Sequence, residues 1–162
     1  MAGDLIDFNG LELASESGLT VLTPSEKIDF AEAWIMANGG KFKPYGVEIP
    51  GEKLEHFFPP GLYVRKLTLP ADTVLTTRVH RFEHPLFIQT GKISVYDNAG
   101  VSMHIQGPEM FITDQGTHRF IVVHEEAVWV TVHPNPDNIT NIEVLERMYT
   151  YCRNEYPQLE AK

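Results

Sequence analysis

Residues 78–91 read Arg78-Val79-His80-Arg81-Phe82-Glu83-His84-Pro85-Leu86-Phe87-Ile88-Gln89-Thr90-Gly91. Side chains alternate between the two faces of a β-strand. Arg78, His80, Phe82 and His84 are therefore expected on one face, with Val79, Arg81 and Glu83 on the other. Leu86 and Ile88 continue the face of His84, which marks it as the interior one. The surrounding chain is dense in strand-length runs: 61–69, 73–81, 85–90, 92–97, 101–106, 109–113, 118–124 and 128–133. Turn residues separate them, among them Pro70-Ala71-Asp72, Gly91, Asp97-Asn98-Ala99-Gly100, Gly107-Pro108, Gln115-Gly116 and Glu125-Glu126. Many short, evenly spaced strands predict a sandwich or closed barrel. The lack of helix-length segments between them argues against a parallel α/β sheet.

Outward from this run the chain divides into an N-terminal arm (1–60), the strand region (61–134) and a C-terminal helix and tail (135–162). In the arm, Thr23-Pro24-Ser25-Glu26 has the composition of a helix start, with proline and an acid in the first turn. Ile28, Ala31, Trp34 and Ile35 follow at helical spacing, and Asn38-Gly39-Gly40 supplies the stop. Prolines and glycines punctuate the rest of the arm, where Phe42, Tyr45, Val47, Phe57 and Phe58 are available as anchors against a barrel. Beyond Pro134 and Pro136, Asp137 or Asn138 can cap a second helix reaching Asn154. Its apolar stripe is Ile139, Ile142, Leu145, Met148, Tyr149 and Cys152, to be buried on its own barrel or on a neighbouring subunit.

Composition limits the possibilities further. A chain of 162 residues with 43% hydrophobic and 22% charged residues suits one soluble domain. No apolar run is long enough to span a bilayer, and the first residues lack signal-peptide character, so a cytoplasmic location and no membrane partner are expected. Cys152 is the only cysteine, which excludes an intrachain disulfide and a thiolate zinc cluster. A net charge of -9 argues against nucleic acid as a partner. There is no glycine-rich phosphate loop and no Gly-x-Ser-x-Gly elbow.

Within 61–134 the pattern resembles the cupin superfamily. Its first motif carries a His-x-His pair, then an acid, then a glycine. Counted back from Gly91, His84 stands at the acid position, His80 at the second histidine and Arg78 at the first. In the second motif Gly107 and Gly116 match the glycines, Asp114 takes the proline position, and Arg119 takes the histidine position with His118 one residue early. The likeness is greatest to small phage-associated cupin-like proteins, in which His-x-x-x-His, a Gly-Thr-x-Arg turn and a final Trp-x-Thr-x-His strand recur. All three are present here, as His80–His84, Gly116–Arg119 and Trp129–His133. The resemblance implies an all-β, cupin-type double-stranded jelly-roll barrel, flanked by a helix-bearing N-terminal arm and a C-terminal helix. It also implies a homo-oligomer.

The candidate metal ligands are His80, His84 and His133, because neutral imidazole suits Zn, Fe, Mn or Ni. His133 shares a strand face with Trp129 and Thr131; the competing reading makes it a locally hydrogen-bonded cap beside Pro134. Arg78 and Arg119 are candidate anchors for a small anionic ligand. The alternative for each is an ion pair with Glu83, Glu109 or Asp114. His118 reads as an exposed turn residue, His104 and His124 as solvated histidines, and His56 as an arm residue able to approach the barrel mouth. Two functions follow: binding of a metal and/or small anion inside the barrel, or a phage-encoded structural or interaction protein, a virion component, with a degenerate site. A metal-free sugar-nucleotide epimerase ranks third, since no inward aspartate partners a histidine.

Overall fold

The computed structural model describes residues 12–15, 18–38, 41–43, 46–48, 51–151 and 155. Two short hairpins lie in the arm, β1 (Glu12–Ser15) with β2 (Gly18–Val21), and β3 (Lys41–Lys43) with β4 (Gly46–Glu48). Between them runs α1 (Pro24–Ala37). Its start is a capping box: Thr23 Oγ1 accepts from the Glu26 amide at 3.3 Å, and the Glu26 carboxylate accepts from the Thr23 amide at 2.8 Å. Asn38 ends it, as the Asn-Gly-Gly signal predicts.

The barrel follows as β5 (Lys53–Phe57), β6 (Gly61–Leu69), β7 (Thr73–Thr76), β8 (His84–Asp97), β9 (Ser102–Gln106), β10 (Glu109–Thr113) and β11 (Arg119–Asn135), and α2 (Ile142–Tyr149) closes the order. All pairings are antiparallel. The long strands β8 and β11 each serve two sheets. The first half of β8 lies between β10 and the second half of β11, which continues to β6 and β5. The second half of β8 lies between β9 and the first half of β11, which continues to β7. This is a jelly roll of two facing sheets joined through shared strands.

Gly91 and Glu125-Glu126 are therefore not turns but bends within continuous strands. The register of β11 against β8 slips at 123–129, opposite Gly91. The bend has a consequence for side-chain direction. His84, Leu86 and Ile88 face inward, yet beyond Gly91 it is Ile93 and Val95 that are buried, because one extra residue shifts the alternation. Val95 is only 1% exposed, within the core.

That core fills the space between the sheets with Leu69, Leu75, Leu86, Ile88, Ile93, Val95, Ile105, Ile121, Val123, Ala127 and Trp129. On the outer face of the second sheet, Phe120 and Val122 bury Ile28, Ala31 and Ile35 of α1. The arm is thus anchored by its helix; Phe57, expected to anchor it too, is exposed. The side chains of Phe42, Tyr45 and Val47 lie outside the described residues, as does Cys152.

Two further expectations are corrected. The strand predicted at 73–81 stops at Thr76, because the backbone of 79–81 pairs instead with the residues after α2. Arg81 N donates to Tyr149 O at 2.8 Å, and Tyr151 N to Val79 O at 2.9 Å. Phe82 consequently does not share a face with the histidines and is 58% exposed. The second helix is shorter than 138–154. Asn141 is its N-cap, accepting from the Val144 amide, while Asn138 has a positive φ of 51° and accepts from Gly61 N. Leu145 and Tyr149 pack on Tyr63 of the same barrel, so the centre of the expected stripe is buried within the chain, and Val144 and Met148 stay exposed. No helix among the described residues is long and apolar enough to cross a membrane.

Gly91 is the position where glycine is required on two counts. Its φ is +95°, and an added Cβ would lie 2.4 Å from Glu126 O and 2.5 Å from Ala127 Cα. Gly91→Ala is predicted to destabilise the fold by at least about 3 kcal/mol, by backbone strain plus clash. Gly61→Ala, at φ +75° with nothing within 4 Å, should cost about 1 kcal/mol. Urea unfolding of both variants checks this; equal midpoints would refute it.

Candidate functional site

The register of the first sheet sorts its interior into rows. The lowest row is apolar: Ile88 opposite Trp129, and Trp129 opposite Leu67. One row up, Leu86 stands opposite Thr131, Thr131 opposite Arg65, and Arg65 opposite His56. At the mouth Thr113 stands opposite His84, and His133 opposite Tyr63. Polarity therefore rises along one axis of the barrel and ends in histidines.

The third histidine comes from outside the ladder. His80 sits in the irregular stretch between β7 and β8, held by Gly116 N donating to His80 O at 2.8 Å and by a bridge to Thr150. The ring centroids of His80 and His84 are 4.3 Å apart, those of His84 and His133 4.6 Å, and those of His80 and His133 6.4 Å. The three expected histidines thus meet. Tyr149 of α2 stacks on His133 at 4.6 Å and donates its hydroxyl to Pro134 O. Tyr63 stands behind them, bonded to His56 Nδ1 at 2.8 Å and stacked on Phe58.

Charge surrounds this cluster. Arg119 is buried and its Nη1 donates to Thr113 Oγ1 at 3.0 Å. Of the acids expected to pair with it, Asp114, together with Asp97, opposes the effect of burial, which pushes its guanidinium down. Arg78 is half-buried and acts on Glu146. Two residues not foreseen from sequence complete the set. Arg65 Nη1 lies 3.4 Å from Glu146 Oε1, and Glu146 is 4% exposed. The signal was present: Glu146 is four residues after Ile142 and three before Tyr149, inside the apolar stripe of α2, and Arg65 shares the alternation of Tyr63 and Leu67. His118 is a correction in the other direction, 5% exposed where a turn histidine was expected.

Burial sets the protonation states. Desolvation holds His80 well below the ordinary histidine range, with His84 and His133 adding repulsion. It lowers His84 as well, against the hydrogen bond to Phe82 O. His133 is pushed down to about 3 by burial, then by His84 and Arg65. All three are neutral near pH 7. Burial raises the Glu146 carboxyl against the pull of Arg65 and Arg78.

The donor chemistry of this set suits a metal, although the side chains as placed do not form a group that could hold one. His84 Nδ1 lies 3.2 Å from the Phe82 carbonyl, which can only accept, so Nε2 keeps the lone pair. His80 Nδ1 is buried with no hydrogen-bond partner among the described residues. With Zn–N bonds of about 2.1 Å, three ligating imidazoles would have ring centres about 5 Å apart, and the observed spacings bracket that value. Ring rotation is still needed: among the described residues no three His, Cys, Asp or Glu side chains already stand in ligand geometry. A cavity of about 70 Å³ adjoins the cluster, lined by Arg65, Thr76, Thr77, His80 and Thr131 on its polar side and by Leu75, Ile121 and Trp129 below. A larger groove of about 580 Å³ lies among Phe87, Met110, Val130 and Val132, on the face of the sheet opposite the histidines.

No family profile matches the sequence, and no curated protein matches it. Solved structures do. Ectoine synthase from P. lautus aligns at 14% identity over 67% of this chain and 80% of that one, with a TM-score of 0.51. KdgF from Halomonas sp. aligns at 17% over 56% and 86%, with a TM-score of 0.45. The Cnp3 cupin domain of Schizosaccharomyces pombe aligns at 22% over 53% and 61%, with a TM-score of 0.42. The superposition on ectoine synthase, together with the strand order, assigns the fold: a jelly-roll barrel of the cupin type, with a helix on either side of it in the chain.

The depressed histidines predict an acid-labile barrel. A histidine that titrates near 6.5 in the unfolded chain and near 3 in the fold makes the unfolded state bind more protons between those values. Stability is full above about pH 6.5 and falls by about 1.4 kcal/mol per pH unit for each such group as pH drops. His133→Gln should flatten the fall in urea midpoint between pH 6.5 and 4.5; an unchanged slope would refute the assignment.

Proposed function

We propose that the protein binds a divalent transition metal through His80, His84 and His133, and a small anionic ligand beside it through Arg78 and Arg119, with Arg65 joining them. One observation carries this reading: buried polar atoms without hydrogen-bond partners are gathered at one end of the barrel. Among the described residues they are Arg65 Nε, Arg78 Nε, Arg119 Nε, His80 Nδ1, Thr131 Oγ1 and Glu146 Oε2, the other Glu146 oxygen standing 3.4 Å from Arg65 Nη1. Each such atom costs about 1–3 kcal/mol, whereas a domain is stable by only about 5–15 kcal/mol in total. Polar partners from outside the chain offset that cost. When bound, a metal with open positions would act as a Lewis acid or redox centre. The chain's own residues supply neutral imidazole donors, guanidiniums for an anion, and a hydrophobic floor at Trp129 and Leu67 that limits water.

A second reading is a structural or interaction protein, phage-encoded and part of a virion, that uses the barrel as a scaffold. The observation in its favour is the outer face of the first sheet, where Phe87, Met110 and Ile112 are exposed. Such a surface suits assembly of a homo-oligomer, which is compatible with either reading.

The decisive experiment is calorimetry on chelator-stripped protein. Zn2+ is expected to bind at one interior equivalent that His84→Gln removes. Malonate or oxalate is then expected to bind the loaded protein, more weakly by about tenfold in Arg78→Gln, the loss that follows from removing one charge-assisted pair. Zn2+ uptake that His84→Gln leaves unchanged would overturn the first reading. Absence of metal uptake together with an assembly that Met110→Asp breaks would favour the second.

A further inference from the structure

The outer face of the second sheet carries two histidines that the interior site does not use. Ser94 on β8 stands opposite His104 of β9 on one side and Val122 of β11 on the other. Its neighbours Ile93 and Val95 point into the core, so Ser94 points outward. Its Oγ lies 2.8 Å from His104 Nδ1 and 2.6 Å from His124 Nε2. Ser94 itself is 3% exposed, while both histidines are exposed to solvent. Two imidazole nitrogens from two different strands thus converge on one oxygen, on a frame of three adjacent hydrogen-bonded strands.

We infer that His104, His124 and Ser94 form a second, solvent-facing site for a divalent transition-metal ion of the Cu2+, Ni2+ or Zn2+ class. The serine hydroxyl can donate to one ring and accept from the N–H of the other, and because both rings are exposed each can carry its proton on its other nitrogen and present a lone pair at this point. A cation between the rings takes a lone pair from each. Imidazole donors suit these ions, with Cu2+ at the top of the affinity order. The strand frame holds both donors without ordering a loop. Glu125 and Glu126, exposed directly after His124, and a net charge of -9 favour an approaching cation. The site is independent of the interior histidines, since Ser94 and the core residues beside it point to opposite faces of β8. Two rings and one hydroxyl leave positions open for water or for a side chain of another protein.

The test is Cu2+ titration of the full chain, stripped with chelator and carrying His84→Gln to silence the interior site. It is followed by calorimetry and by electron paramagnetic resonance. One equivalent of Cu2+ with nitrogen superhyperfine coupling is expected. His104→Ala and His124→Ala should each weaken it by at least about tenfold. Both side chains are exposed, so the circular dichroism and thermal midpoint of the variants should match the parent. Failure of the parent to bind Cu2+, or the same affinity and spectrum in the double variant, overturns the inference. Zn2+ uptake by the interior is read separately in protein with His84 intact.

Discussion

The close approach of Gly91 to the backbone of Glu126 and Ala127 is the constraint on which the rest of the structure depends. No side chain fits there. At this point β8 and β11 bend together and pass from one sheet to the other, which makes one pair of long strands part of both walls of the jelly roll. The same bend shifts the alternation of β8 by one residue. Without that shift, His84 and Ile93 could not both face inward, and either the hydrophobic core or the histidine end would be turned out to water.

The barrel has an apolar end and a polar end, and the polar end costs free energy. Neutral histidines are affordable in a desolvated pocket; guanidiniums and a carboxylate are less so. The ion pair of Arg65 with Glu146 offsets part of that cost. The helix α2 supplies Glu146, and supplies Tyr149 as a stacking wall for His133. Leu145 and Tyr149 fix this helix on Tyr63, while the residues after it lie along 79–81 and hold His80 in place. The C-terminal segment is thus structural and part of the site at once. A ligand that satisfies the buried guanidiniums and His80 would remove the remaining cost, and this links stability to binding.

Much of this was legible in the sequence. Period-two alternation marks the inward face of 84–88 and groups Trp129, Thr131 and His133 on one face of the last strand, and the capping residues place α1 correctly. The trio His80, His84 and His133 was recognisable because two of them lie in phase on those faces. His80 was assigned to the interior by an argument that the structure replaces: it is held there by backbone pairing with 116–117 and 149–151, not by strand alternation. Gly91 and Glu125-Glu126 look like turns in the sequence because glycine and paired acids interrupt a hydrophobic pattern in the same way at a bulge as at a hairpin. Arg65 and Glu146 are not legible in the sequence, because a charged residue on an apolar stripe is ordinarily a helix or strand edge; only tertiary packing brings them together. His118 became buried through long-range contacts of the same kind.

X-ray absorption at the zinc edge tests the central claim most directly, on protein loaded with one equivalent of Zn2+ in a His104→Ala, His124→Ala background. The account predicts nitrogen neighbours at about 2.0–2.1 Å, with the outer-shell scattering of three imidazoles and loss of one in His133→Gln. An oxygen-only shell, or a spectrum that His133→Gln leaves unchanged, would contradict it.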